Sequence, residues 1–243
     1  MVAQTSCRMT TAVIVQARHN STRLPGKVLA DLAGRPVIAH VIERALRIPG
    51  VDVVVCAVPD QPESRRIEAY AKGAGAKTFR GSEHDVLART LGAARSAGAD
   101  IVVRVTSDCP LIDPAVCGDV VALRATEDVD YASNVDPRSF PAGLDCEVFT
   151  VEALAVASML ADEPYEREHV TPRVKREAGT RRANLASPDR TLAGKRWTLD
   201  WPEDLEFLRA VHAHGEPESM QAVLDILRVH PEIEAINAMR KAA

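Results

Sequence analysis

Short, nearly unbroken apolar runs alternate along the chain with segments whose apolar positions recur every three to four residues. Ala12–Ala17 (AVIVQA), Val51–Ala57 (VDVVVCA) and Asp100–Val105 (DIVVRV) are of the first kind, the pattern of strands in a parallel sheet covered on both faces. Between the first two, Val37, Ile38, Val41, Ile42, Ala45 and Leu46 share one face of a helix predicted over Pro36–Ile48. Pro36 suits a first helical turn, where its missing N–H has no intrahelical partner to lose, and Pro49-Gly50 ends the segment. The product is a β-α-β unit, for which a right-handed crossover is expected.

The alternation continues with a helix near Pro62–Gly73, a brief strand at Lys77–Phe79 and a helix over His84–Ala97. Asp113-Pro114 then reads as an N-cap and first-turn proline opening a helix to about Ala125. Beyond Asp130 the pattern changes. Strands are predicted at Tyr131–Asn134 and Leu144–Thr150, joined by the Pro/Gly-bearing stretch Asp136–Gly143. A helix follows over Val151–Leu160, and the highly charged Glu166–Glu177 is expected to form a helix that projects from the core. A last short strand, Arg196–Leu199, precedes two or three helices between Pro202 and Arg240. Without internal repeats or long linkers, the 243 residues read as one α/β domain spanning 1–243, with residues 1–10 disordered and 136–177 protruding. Folds of this class bind ligands beyond the carboxyl ends of their strands. That rule singles out Arg18–Lys27, Pro59–Asp60, Thr106–Asp113 and the residues after Leu199.

Composition narrows the function classes. With 30 Lys+Arg against 34 Asp+Glu the formal net charge is −4, so the chain lacks the cationic excess of a general nucleic-acid binder. No apolar run approaches the ~20 residues of a membrane span, and MVAQTSCRMT is too polar for a signal peptide. The cysteines, at 7, 56, 109, 117 and 146, show no CxxC spacing, which disfavours both a disulfide framework and a structural zinc site. Reduced thiols in a cytoplasm are expected.

Directly after the first apolar run comes Arg18-His19-Asn20-Ser21-Thr22-Arg23-Leu24-Pro25-Gly26-Lys27. It holds three permanent cations, two hydroxyls and no carboxylate, a composition suited to a polyphosphate. It matches neither GxxxxGK[ST] nor GxGxxG, which removes the P-loop and the dinucleotide-binding fingerprint, and with the latter an NAD-dependent dehydrogenase. The alternative is a solvated loop whose cations merely cluster. Asp108 and Asp200 each follow a predicted strand. If those strands run parallel the two acids share one edge, where a pair of hard carboxylates suits Mg²⁺ together with substrate phosphates. Otherwise Asp108 caps a turn and Asp200 lies near the start of the next helix. Asp113, Glu203 and Asp204 have cap or first-turn positions that account for them without function.

The string QARHNSTRLPGKVLADLAGRPVIAHVIER resembles the N-terminal signature of the cytidylyltransferases that include spore-coat polysaccharide biosynthesis proteins, relatives of the CMP-sialic acid and CMP-Kdo synthetases. The resemblance extends in order through FRGSEHDVLAR, VVRVTSDCPLIDP, DYASN, FPAGLDCEVF, REHVTP and TLDWPEDLEF, nearly the whole chain. It implies a three-layer α/β/α Rossmann-like nucleotidyltransferase fold and a Mg²⁺-assisted attack of an acceptor oxygen on the α-phosphorus of CTP, with pyrophosphate leaving. The acceptor implied is an acidic sugar, a 2-keto-3-deoxy acid, for surface-glycan synthesis. Arg18, Ser21, Arg23 and Lys27 would then hold the nucleotide, with Arg18, Lys27, Asp108 and Asp200 catalytic and the two aspartates the metal ligands. The same resemblance sets Arg80, Gly81 and Ser82 beside cytosine and ribose, although Ser82–Asp85 also reads as a helix cap. A homodimer crossing through Asp136–Glu177 is implied as well.

Other residues stay open. Arg104, inside an apolar strand, either reaches the phosphates or pairs with Asp108, because arginine is rarely buried unpaired. Arg167, Glu168 and His169 either approach the acceptor or make a dimer contact. Phe140–Asp145, including Gly143 and Asp145, is a candidate acceptor wall, with Gly143 permitting close backbone approach. His19 is a candidate general base. Asn20 and Ser107 stand where the family commonly has Gly; Asn tolerates left-handed backbone, whereas Ser107 adds a side chain near the expected base or metal region. Alternative functions are uridylyl or guanylyl transfer on the same scaffold, or nucleotide binding without catalysis.

Overall fold

The structure, a computed structural model, describes residues 8–177 and 179–240. In chain order its strands are β1 (Thr11–Gln16), β2 (Asp31–Leu32), β3 (Arg35–Pro36), β4 (Val53–Pro59), β5 (Lys77–Gly81), β6 (Ile101–Thr106), β7 (Tyr131–Ser133), β8 (Glu147–Thr150) and β9 (Arg182–Asn184). The helices are α1 (Val37–Ala45), α2 (Ser64–Gly73), α3 (Val86–Ser96), α4 (Pro114–Thr126), α5 (Val151–Leu160), α6 (Pro164–His169), α7 (Thr171–Arg176), α8 (Pro202–His212), α9 (Met220–Val229) and α10 (Glu232–Ala235).

Seven strands form one sheet in the order β5-β4-β1-β6-β8-β7-β9, and β2 and β3 form a separate hairpin. The apolar runs of β4, β1 and β6 are neighbours in its parallel part, with Val13 opposite Val54 on one side and Val103 on the other. Only β8 runs against its neighbours β6 and β7. Alternation along each strand sends side chains to two cores. Val13, Val15, Val54, Cys56, Val103 and Val105 pack with Ile38, Ile42, Ile67 and Val120 of α1, α2 and α4. Ala12, Ile14, Val55 and Val102 pack with Leu87, Leu91, Leu154 and Val174 of α3, α5 and α7. The expected three-layer α/β/α arrangement results. A third cluster, including Leu111, Phe140, Leu144, Trp197, Leu199, Phe207 and Leu227, seats the C-terminal helices.

Several boundaries differ from the sequence reading. Pro36 lies in the β2–β3 hairpin, opposite Asp31, just ahead of α1. The expected strand Arg196–Leu199 does not join the sheet. Arg196 makes one isolated bridge to Ala142, and Trp197 and Leu199 are buried in the third cluster with α8 and α9, so their apolar alternation reflects packing against helices. The helix expected over Glu166–Glu177 is broken into α6 and α7 at Val170, where φ is 70°. Pro172 cannot continue the α6 hydrogen-bond ladder, and Val170 and Val174 are buried in the second core, so the segment packs down instead of projecting. The wider 136–177 stretch is likewise built into the body: it supplies β8, and Phe140, Leu144, Val148 and Leu154 are buried. Of the first ten residues, 1–7 lie outside the described residues. Arg8 bonds Asp52, and the Thr10 amide donates to Asp100 Oδ2 at 2.8 Å, so 8–10 are tied to the sheet end.

Candidate active site

The β1 and β6 carboxyl ends open into a cavity of about 610 Å³ whose lining includes Gln16 to Arg23, Lys27, Val86, Arg89, Arg104, Thr106 to Asp108, Glu168, His169 and Asp200. The loop after β1 is closed by its own backbone: Gly26 N–H donates to the His19 carbonyl at 3.2 Å and Lys27 N–H to Leu24 at 3.2 Å. Gly26 sits at φ 71°, a left-handed conformation that glycine adopts without a Cβ penalty. The following 3-10 turn, Lys27–Leu29, buries Val28. That anchor fixes Lys27 beneath the loop.

The Lys27 ammonium has three hydrogens and uses all of them. It donates to Asp108 Oδ2 at 2.8 Å, to Asp200 Oδ1 at 2.9 Å and to the Leu199 carbonyl at 2.8 Å. Burial works against the Lys27 charge, but the Asp108 and Asp200 carboxylates outweigh it and hold the ammonium above its ordinary value. Burial likewise works against Asp108, and Lys27 reverses it, keeping that carboxyl below the usual range. Asp200 takes two further cations: Arg23 Nη2 at 2.8 Å and Arg196 Nη2 at 2.9 Å. Its backbone is set by Asp204, whose Oδ2 accepts the Asp200 and Trp201 amides, each at 2.9 Å, at the start of α8. Asp204 therefore has the helix-start role read from the sequence.

Two acids separated by 92 positions meet because the backbones around them pair. Leu199 N–H donates to the Asp108 carbonyl at 2.8 Å and Trp197 N–H to Ala142 at 2.7 Å. Asp108 follows β6 as expected; Asp200 arrives on an extended segment beside the sheet.

Arg104 lines the cavity but does not pair with Asp108. Its Nε donates to Gln16 Oε1 at 3.1 Å, and its Nη1 bonds Glu147. Glu147, buried, also accepts from Tyr131 Oη at 2.6 Å and Thr171 Oγ1 at 2.8 Å. Burial would raise this carboxyl, yet Arg104 and the two hydroxyls bring it below its ordinary value. The Gln16 amide is held in turn by Thr90 Oγ1 at 2.7 Å.

Of the residues singled out by sequence, Arg18, Ser21, Arg23, Lys27, Arg104, Asp108, His169 and Asp200 share the main cavity, as do His19, Asn20 and Ser107. Ser82 and Arg167 line an adjoining hollow of about 470 Å³ that Arg18, Glu83 and Glu168 also border. Ser82 Oγ accepts the Asp85 amide at 3.0 Å, and Asp85 caps α3 through Ala88, so the capping reading of this segment holds. Arg167 ties α6 to Asp85 at 3.3 Å.

Four expected site residues line neither cavity. Arg80 is turned to the outer strand, bonded to Glu68 and Asp60, because β5 is the sheet edge and its polar side chains face α2. Gly81 is filled by Arg89, whose Cγ lies 2.9 Å from where a Cβ would stand. Gly143, at φ 110°, does permit a close backbone approach, but to Trp197, whose carbonyl carbon lies 2.7 Å from a hypothetical Cβ. Asp145 is engaged by both amino groups of Arg138 at 2.6 and 2.9 Å. The sequence reading missed Gln16, Arg89 and Glu147 as site-forming residues. Each carries the same signal, a polar residue interrupting an apolar strand or helix face.

The cavity thus combines five permanent cations, Arg18, Arg23, Lys27, Arg89 and Arg104, with two carboxylates gathered on one ammonium. Such an arrangement defines a site for a polyphosphate handled beside paired acids. A family model described as Cytidylyltransferase matches residues 12–227, and the chain belongs to that family. It is a nucleotidyltransferase. The spore coat polysaccharide biosynthesis protein SpsF of Bacillus subtilis is 29% identical over 90% of this chain and 94% of its own length. The 3-deoxy-manno-octulosonate cytidylyltransferase of Anaeromyxobacter dehalogenans is 43% identical over 47% of each chain. Among solved structures, a cytidylyltransferase from Leptospira borgpetersenii superposes with a TM-score of 0.88 at 29% identity, covering 93% of this chain and 97% of the other.

Proposed function

We propose that the protein is a Mg²⁺-dependent enzyme that transfers CMP from CTP to an acidic sugar of the 2-keto-3-deoxy class, releasing pyrophosphate, for surface-glycan synthesis. The observation that carries this reading is the convergence of Asp108 and Asp200 on one ammonium beneath a cationic loop. The acidic-sugar assignment is supported by the relative that acts on 3-deoxy-manno-octulosonate.

Arg18 and Arg23 neutralise the triphosphate and orient its α-phosphorus for in-line attack, with Ser21 a further donor, while Lys27, its three hydrogens spent on Asp108, Asp200 and the Leu199 carbonyl, sets the two acids beside it. Arg18 is the most available of these cations, because its one ion pair, to Glu168, spans 3.6 Å with both side chains about half exposed. Exposed pairs of that length hold weakly. Arg104 forms a fixed wall, and His169 with Arg167 edges the side from which an acceptor enters.

The donor set suits magnesium. Asp108 and Asp200 offer hard oxygens that already share a cation, the Lys27 ammonium, and Mg²⁺ takes one or two carboxylates with phosphate oxygens and water. With two protein carboxylates, the ion's remaining ligands would come from nucleotide phosphates and water. When bound, the ion supplies Lewis-acid polarisation of phosphate oxygens.

The test is incubation with CTP, Mg²⁺ and a panel of acidic sugars, followed by mass detection of a CMP adduct. An adduct with a 2-keto-3-deoxy acid is expected; pyrophosphate release without any sugar adduct overturns the acceptor assignment. A homodimer through 136–177 belongs to the same proposal, supported by the exposed apolar side chains Met159 and Tyr165 (76% and 64% exposed). Light scattering should give twice the chain mass, and a monomer at micromolar concentration contradicts it.

A further inference from the structure

Each cation lining the main cavity has a carboxylate within 4 Å except one. Arg18 has Glu168, Arg23 has Asp200, Lys27 has Asp108 and Asp200, and Arg104 has Glu147. Arg89 has none among the described residues, although it is only 3% exposed. Its Nη1 donates to two backbone carbonyls, Ser82 (a short bond) and Glu83 at 3.3 Å. Its Nε is buried without a partner. Its Nη2 bonds nothing among the described residues. A buried charge is stable only when paired, and an isolated one is costly.

A second buried arginine sharpens the contrast. Arg44 also lacks a carboxylate among the described residues, but it engages the carbonyls of Ile112, Pro217 and Glu218 through both amino groups. It ties α1 to the C-terminal region and lines neither cavity. Arg89 spends one amino group on the protein and keeps the other free at a cavity wall. Burial, with Arg18 close by, lowers the Arg89 guanidinium to about 10, the state of a cation that gains from a nearby anion.

We propose that Arg89, together with Arg18, forms an anion subsite on the α3 wall of the cavity, which takes a negatively charged oxygen group of a bound substrate. Gly81 is part of this subsite's construction: with no Cβ, it lets the Arg89 stem lie against β5 and turn its head toward the cavity. The subsite deepens the proposed transfer reaction, in which phosphate oxygens of the nucleotide and the carboxylate of the acceptor are the two sources of such a group. Either can accept a charge-assisted hydrogen bond from the free Nη2 amino group.

The test is calorimetric binding of CTP, inorganic pyrophosphate and cytidine to the wild type, Arg89→Met and Arg89→Lys, with steady-state KM for 3-deoxy-manno-octulosonate as the acceptor alongside. If the group is a phosphate, CTP and pyrophosphate bind Arg89→Met at least about tenfold more weakly, Arg89→Lys recovers part, and cytidine is unaffected. If it is the acceptor carboxylate, CTP binding is unchanged and the acceptor KM rises by a similar factor. Arg89→Met binding every ligand within about twofold of wild type, with an unchanged acceptor KM, overturns the proposal. Should Arg89→Met fail to fold, Arg89→Gln, neutral but with an N–H donor on a shorter stem, gives the same readout. Pyrophosphate binding needs no turnover, so failure of the transfer reaction and failure of the subsite are separately visible.

Discussion

Lys27→Met removes the charge that joins the two acids while keeping an apolar stem of similar length. Each ion pair, at 2.8 and 2.9 Å, has a gross Coulomb energy of about 6 kcal/mol at an effective dielectric near 20, much of it offset by desolvation. Removing one member of a buried pair costs about 3–5 kcal/mol because the partner is left uncompensated. Here the side chains of Lys27 and Asp200 are 12% exposed and that of Asp108 is 26%, so about 3 kcal/mol is expected. The loss falls mainly on Asp108, since Asp200 keeps Arg23 and Arg196. Urea unfolding of the wild type, Lys27→Met, Asp108→Asn and the double variant reads this directly. A coupling energy near 2 kcal/mol is expected between the two positions. Lys27 and a divalent ion also compete for the same oxygens, so Lys27→Met should bind Mn²⁺ at lower concentration than the wild type. A loss below about 1 kcal/mol, no coupling and an unaltered Mn²⁺ titration would refute the shared-cation account.

The same pair sets a pH signature. Asp108 is held below its usual value, so its contribution exists above the unfolded value near ~3.9 and fades as pH falls through the folded one. Lys27 is held above 10.5; its contribution is complete below the unfolded value and fades as pH rises through the folded one. The stability difference between wild type and Lys27→Met should therefore be level between about pH 5 and 9 and narrow at both extremes; a difference that grows in acid contradicts it. Glu147→Gln leaves the Arg104 charge without its acid and should lower both the melting temperature and kcat/KM, by about tenfold for the latter; unchanged kinetics would remove Arg104 from the working wall. Gly143→Ala meets the Trp197 backbone at 2.7 Å and is expected to cost about 2–3 kcal/mol and displace the segment leading to Asp200, read as joint loss of stability and turnover.

The sheet centre was legible because strands covered on both faces carry almost unbroken apolar runs, as β1, β4 and β6 do. β9 was not: its sequence, Arg-Ala-Asn, has no apolar signature, and its pairing with Tyr131–Ser133 is a long-range backbone event. Trp197 and Leu199 showed strand-like alternation for a different reason, burial against helices without a ladder. Residues that share the short loop after β1 meet in one cavity because the loop itself closes on Gly26. Asp108 and Asp200 were paired in expectation by two strand ends and by the family pattern; the second strand does not join the sheet, and their actual meeting depends on loop-to-loop bonds that no local pattern encodes. Gly143 was recognised as a position of close approach, while what approaches is the chain's own backbone. The Arg104–Glu147 bond links adjacent antiparallel strands, a neighbour relation invisible until the reversed direction of β8 is known.

The central claim is that the Asp108–Lys27–Asp200 group serves nucleotidyl transfer from CTP. Pyrophosphate release measured with each of the four nucleoside triphosphates, for the wild type, Asp108→Asn and Asp200→Asn, tests it most directly. The account predicts release from CTP in preference to the others, reduced about 10²-fold or more in both folded variants. Release from UTP or GTP alone, or rates unchanged by either substitution, would contradict it.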